Sequence, residues 1–143
     1  MEDIEKKVTL DCDVDRAWKA LTDKDELSRW MMMPTNFKPE VGTKFYFQAN
    51  PNETWTGKVS CEVKVVEKNK KLSFTWNTDL LKTDTLVTFT LNEAEEKTEL
   101  TLVHSGWENV KEDSEDMKNL HNEGWGQRLF EKLKVIADSK FIV

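Results

Sequence analysis

The strongest constraint on this chain is its middle, where five successive runs between Phe45 and His104 alternate apolar with polar residues. A period of two sends neighbouring side chains to opposite faces of an extended strand. Phe45 and Phe47 make the first run. Trp55, Gly57, Val59, Cys61, Val63 and Val65 then alternate with Thr56, Lys58, Ser60, Glu62 and Lys64. Leu72, Phe74 and Trp76 follow, then Thr85, Val87, Phe89 and Leu91, and finally Leu100, Leu102 and His104. The links are short, such as the turn at Asn69-Lys70-Lys71 and the acidic turn from Asn92 to Lys97. Short links predict antiparallel pairing of neighbours as a meander. With one face of each run apolar and the other polar, the sheet is wet on one side and covered on the other.

The cover is expected in the last segment. From about Ser114, read as an N-cap, the chain has no proline, and Met117, Leu120, His121, Gly124, Trp125, Leu129, Leu133 and Ile136 recur at helical spacing. A helix of about 24 residues would be about 36 Å long, enough to cross a sheet. Upstream, Ile4 to Cys12 reads as a strand with one slip at Lys6. Asp13 reads as the N-cap of a short helix carrying Val14, Ala17, Trp18 and Leu21 inward, and Thr22-x-x-Asp25 as a capping box opening a second helix with Leu27, Trp30 and Met31 inward. A loop punctuated by Pro34, Pro39 and Gly42 leads into the sheet. The pattern predicts an α+β fold: a curved antiparallel sheet of about six strands wrapped on a long C-terminal helix, with two short helices after the first strand. Residues 1–143 carry no repeat and no Pro/Gly/Ser linker, so they read as one domain.

Composition narrows the function classes. The net charge is −6, with 27 acidic against 21 basic residues, and no basic patch suited to nucleic-acid phosphates, so no nucleic-acid partner is expected. No run approaches the roughly 20 apolar residues of a membrane span. Met1-Glu2-Asp3-Ile4-Glu5 lacks the basic start and apolar stretch of a secretory signal, which predicts a cytoplasmic protein. Cys12 and Cys61 stand far apart and outside any Cys-x-x-Cys pair, as ordinary buried thiols do in a reducing compartment. Asn52-Glu53-Thr54 matches a glycosylation sequon, which is idle without export. Zinc-ligand spacing, a phosphate-binding loop and a nucleophile elbow are missing, so neither metal nor cofactor is expected.

Several blocks resemble a known family. These are Val8-Thr9-Leu10, Asp15 to Asp23, Leu27-Ser28-Arg29-Trp30, Gly57-Lys58-Val59, Leu72 to Trp76, Val87 to Leu91, Thr98 to Leu102, His104-Ser105-Gly106-Trp107, and Gly124-Trp125 with Leu129. In order and spread they resemble the START-like (helix-grip) proteins related to the activator of the ninety-kilodalton heat-shock protein ATPase. The terminal helix departs from that pattern by carrying Lys132 where an apolar residue is common, with Leu133 one position later, so a rotated or repacked helix face is expected there.

The resemblance implies an apolar pocket between the long helix and the concave sheet. Its lining would be Phe45, Phe47, Trp55, Val59, Cys61, Phe74, Trp76, Val87, Phe89, Leu102, Met117 and Trp125, with His104 and His121 supplying polar groups. The same side chains would line a filled interior with no usable void. Gly124 is expected either to permit close helix–sheet approach against Trp76 or Phe89 or to bend the helix and widen one end of the cavity, and Met31-Met32-Met33 to pack in the core or a lid. The loop from Ser105 to Asp113, with Trp107, is expected to form one lip of an entrance. Three functions stand side by side. One is a non-catalytic binder of a lipid-like or polyaromatic small molecule. Another is a co-chaperone or stress-response module contacting a protein partner through Glu62 to Lys71 and the acidic stretch Glu108 to Asp116. The last is a small cavity cyclase or hydrolase using His104 with Glu108, or His121 with Glu53, with a buried histidine of displaced pKa.

Overall fold

A computed structural model describes residues 2–138. Met1 and residues 139–143, into which the signal-sequence and terminal-helix expectations also ran, lie outside the described residues. The strands are β1 (Ile4–Leu10), β2 (Met33–Thr35), β3 (Lys44–Gln48), β4 (Lys58–Glu67), β5 (Lys71–Trp76), β6 (Thr85–Ala94) and β7 (Lys97–Ser105). They form one antiparallel sheet in the order β1-β7-β6-β5-β4-β3-β2. The meander from β2 to β7 is as the short links require, and β1 closes on the far edge with Ile4 opposite His104 and Leu10 opposite Thr98. Helices α1 (Val14–Thr22) and α2 (Lys24–Trp30) follow β1. The terminal helix runs without a break through α3 (Ser114–Gly126), a π-helical stretch (Gln127–Leu133) and α4 (Lys134–Ala137). The helix-grip architecture holds.

Four local expectations change. The sheet has seven strands rather than about six, because Met33-Pro34-Thr35 pairs with Gln48-Phe47-Tyr46. Three residues around a proline give no alternation to read, and an edge strand tolerates a missing N–H. Thr22 does not cap α2. It ends α1, its hydroxyl donating to the Trp18 carbonyl, while the Asp23 carboxylate accepts from the N–H groups of Asp25 and Glu26. Ser114 is the first helical residue, after a left-handed Asp113 that makes no side-chain cap. Trp55 and Gly57 precede β4, with Gly57 at φ +82°, and a bulge between Val63 and Val65 ends the inward alternation. The Asp13 cap is as expected, its carboxylate accepting from the Arg16 N–H at 2.8 Å.

The cover is shared. Trp125, Leu129 and Leu133 of the terminal helix are fully buried, but so are Ala17, Ala20, Leu21 and Trp30 of α1 and α2, with Trp30 edge-on to Phe89 at 5.9 Å. The buried positions Trp125, Leu129, Leu133 and Ala137 recur every four residues. An α-helix drifts about 40° per four residues, so three such steps would carry Ala137 away from the sheet. The π-helical turns, with i→i+5 bonding, hold more residues per turn and absorb that drift. Leu133 therefore stays inward and Lys132 beside it is exposed, which accounts for the displaced apolar position.

Glycine in this helix is not demanded by packing. A Cβ at Gly126 would meet only the Lys6 ammonium, 4.0 Å away. Gly126→Ala is expected to raise stability by about 0.5–1 kcal/mol in chemical denaturation, through helix propensity alone.

Candidate functional site

The seam between sheet and terminal helix is filled at its deep end and hollow at the other. Phe45, Phe47, Phe74 and Phe89 form a chain of rings with centroids 5.4 to 6.1 Å apart, continued to Trp125 at 6.0 Å. Cys61, Val87, Leu102 and His104 are buried among them. Burial raises the Cys61 thiol well above its ordinary value and pushes Cys12 up to about 11, so both are inert apolar fillers at neutral pH.

Beyond this packed region lies a cavity of about 330 Å³, between α3 and the ends of β4 and β5. Of the expected lining, Trp55, Val59, Trp76, Met117 and His121 face it; Phe45, Phe47, Cys61, Phe74, Val87, Phe89, Leu102, His104 and Trp125 stand behind the wall. The remaining walls are Met32, Asn52, Thr78, Leu80, Leu120, Gly124 and Arg128. Met31 and Met32 are buried and Met33 is exposed, so only Met32 reaches the site. A larger hollow of about 420 Å³ lies on the opposite, polar face, walled by the alternate residues Tyr46, Ser60, Glu62 and Thr75, and is open surface.

Two further expectations are corrected. A Cβ at Gly124 would meet only the Arg128 guanidinium, at 3.3 Å, and neither Trp76 nor Phe89; the glycine borders the cavity instead of allowing close packing. Trp107 is no lip. It is fully buried, 4.6 Å from the His104 ring and 5.1 Å from His121, with its indole N–H donating to the His104 carbonyl. The rim is formed by the loops at 49–57 and 77–84. In the first, Asn52 Oδ1 accepts from the backbone N–H of Thr54 and of Trp55, both at 2.9 Å, which fixes the turn that presents Trp55.

The histidines are held neutral by geometry. Indole N–H only donates, so a ring nitrogen facing one must accept. Trp125 donates to His104 Nδ1 at 3.0 Å, and Trp76 to His121 Nε2 at 3.2 Å. The remaining protons follow: His104 Nε2–H donates to Thr85 Oγ1 (2.7 Å), which donates to the Trp76 carbonyl, and His121 Nδ1–H donates to the Met117 carbonyl. Burial, then the neighbouring His121, lowers the His104 pKa well below its ordinary value. Burial also lowers His121, with Arg128 adding to the effect and the Met117 carbonyl opposing it. Neither histidine pairs with a glutamate, since all four ring nitrogens are engaged and Glu53 and Glu108 are exposed. The displaced pKa that a cavity enzyme requires is present at both histidines; His104 has no face on the cavity, and His121, which lines it, has both ring nitrogens engaged.

Two lining residues carry polar groups with no hydrogen-bond partner among the described residues. Trp55 Nε1 is buried without a partner. The half-buried Arg128 guanidinium lies 5.6 Å over the Trp125 ring, and desolvation lowers its pKa. Sequence reading did not single out Arg128, yet Met117, His121, Gly124 and Arg128 follow at steps of four, three and four, which is one helical face.

A long helix gripped by a meander, with a cavity at one end of the seam, defines a START-like domain. The chain belongs to the family described as Activator of Hsp90 ATPase homolog 1-like protein, whose model matches residues 11–138. Among solved structures it is similar to protein MLL2253 from Mesorhizobium loti, with 31% identity, TM-score 0.84, and coverage of 97% of this chain and 98% of that one. Protein BH1534 from Bacillus halodurans is 33% identical, with TM-score 0.78 and coverage of 96% and 97%. The Aha1 dimer from Colwellia psychrerythraea shares the fold at 20% identity, TM-score 0.74 and 99% coverage of both chains. No curated protein matches the chain. No helix among the described residues is long and apolar enough to cross a membrane.

Proposed function

We propose that this protein is a non-catalytic binder of an apolar small molecule, held in the cavity between α3 and the sheet. The observation that carries this reading is the 330 Å³ space walled by Trp55, Val59, Trp76, Met32, Met117 and Leu80, with a few placed polar groups. Pockets of about that size, apolar with sparse polar contacts, suit compact ligands. A ligand covering about 200 Å² of apolar surface gains about 5 kcal/mol at about 25 cal/mol per Å², before ordering costs. The engaged, neutral histidines support binding over catalysis, because neither has a lone pair or proton directed at the cavity.

Native mass spectrometry and thermal shift against lipid and flavonoid panels test the reading. Bound species with raised melting temperature are expected for the wild type. Met117→Trp, which places a larger ring in the cavity, is expected to fold and to lose both signals. A wild type that no compound stabilises would count against the reading.

The family description favours a second reading, a protein-partner module of the heat-shock ATPase activator kind. The exposed acidic run Glu108, Glu112, Asp113, Glu115 and Asp116 would steer such a partner. Stimulation of the heat-shock ATPase at low salt, lost on neutralising that run, would support it; no stimulation removes it.

A further inference from the structure

Arg128 is a cation in a protein with 27 acidic side chains, yet none of them sits opposite it. Among the described residues no oxygen accepts from its five N–H groups; it lies over the Trp125 ring. The cavity wall it joins contains no Asp, no Glu and no second charged group, and His121 on the same face is neutral. A half-buried guanidinium keeps its charge, and its planar fork matches a carboxylate in bidentate fashion. With no protein acceptor opposite it, the guanidinium is free to receive a ligand oxygen.

Resting on the reading of this cavity as a ligand site, we propose that its ligand is an amphipathic carboxylate, whose apolar body lies against Trp76, Val59 and Met117 and whose anionic head pairs with Arg128. The shared chemistry is a single carboxylate on an uncharged apolar frame. The frame is either a medium acyl chain or a fused aromatic ring.

The test is titration calorimetry with matched pairs: decanoate against decanol, and 2-naphthoate against 2-naphthylmethanol. Wild type is expected to bind at least one acid tenfold or more tightly than its alcohol, and whichever pair shows the preference identifies the frame. Arg128→Gln is expected to erase the preference, bringing acid and alcohol to within about twofold of each other. Arg128→Lys, which keeps the charge without the fork, is expected to retain part of it, and melting temperatures of both variants check that they fold. Equal affinity of acid and alcohol for the wild type, or a preference that survives in Arg128→Gln, overturns the assignment while the cavity reading stands. If neither member of either pair binds, the cavity reading falls and the assignment with it.

Discussion

Trp125→Ala is expected to lower the unfolding free energy by about 5 kcal/mol, enough to unfold a domain of ordinary stability. Trp125 is fully buried between Trp76, 5.2 Å away, and Phe89, 6.0 Å away, so its removal opens a large hole in the deep end of the seam. Truncating a buried tryptophan costs about 3–5 kcal/mol, and orphaning the His104 Nδ1 acceptor adds about 1–3 kcal/mol. Trp125→Phe keeps one six-membered ring and loses the N–H with the rest of the indole, so a smaller loss than for alanine is expected. Urea denaturation measures both. A loss under about 2 kcal/mol for Trp125→Ala would mean that the helix does not hold the sheet through this residue.

Stability is also expected to fall as pH drops from about 7 to 5. Both histidines have folded pKa values below the ordinary 6.5. The unfolded chain therefore takes up protons near 6.5 that the native state refuses. The stabilisation is complete above that value and is lost progressively as pH falls toward the lowered folded values. Each histidine held fully neutral contributes a slope approaching about 1.4 kcal/mol per pH unit in this window. Glu62, lowered chiefly by its hydrogen bond from Lys64, acts only below its ordinary 4.5, outside this window. The charged group facing His121 is Arg128, which stays ionised throughout. His104→Gln and His121→Gln should each flatten the profile by one histidine's share. An unfolding free energy constant between pH 7 and 5 would contradict neutral, indole-facing imidazoles.

Much of the fold was legible because burial writes itself into period. Strands β3 to β7 came from alternation, and α1 from a cap and an apolar stripe. What escaped had no period to show. β2 is three residues around Pro34, and the bulge after Val63 shifts register without changing composition. The π-helical stretch left one trace, Leu133 one place beyond its expected position, but only coordinates reveal how the helix widens to accept it. The site was harder to read than the fold. An alternating face shows which residues point inward, not how deeply they are stacked, so Trp76 at the cavity and Phe74 behind it look alike in sequence. Arg128 was legible in principle from its spacing to Met117 and His121, and was not singled out. Trp55 was read as a strand residue, whereas the Asn52 turn is what brings it to the rim.

The six tryptophans allow the most direct test of a ligand site at the open end of the seam. Each indole N–H gives its own proton–nitrogen NMR resonance, and the residues differ in place: Trp55 and Trp76 wall the cavity, while Trp18, Trp30, Trp107 and Trp125 do not. On titration with 2-naphthoate and decanoate, the Trp55 and Trp76 resonances are expected to move furthest, together with the Gly124 amide. Saturating additions that leave those three in place, or that move only Trp18 and Trp30, would contradict a ligand site there.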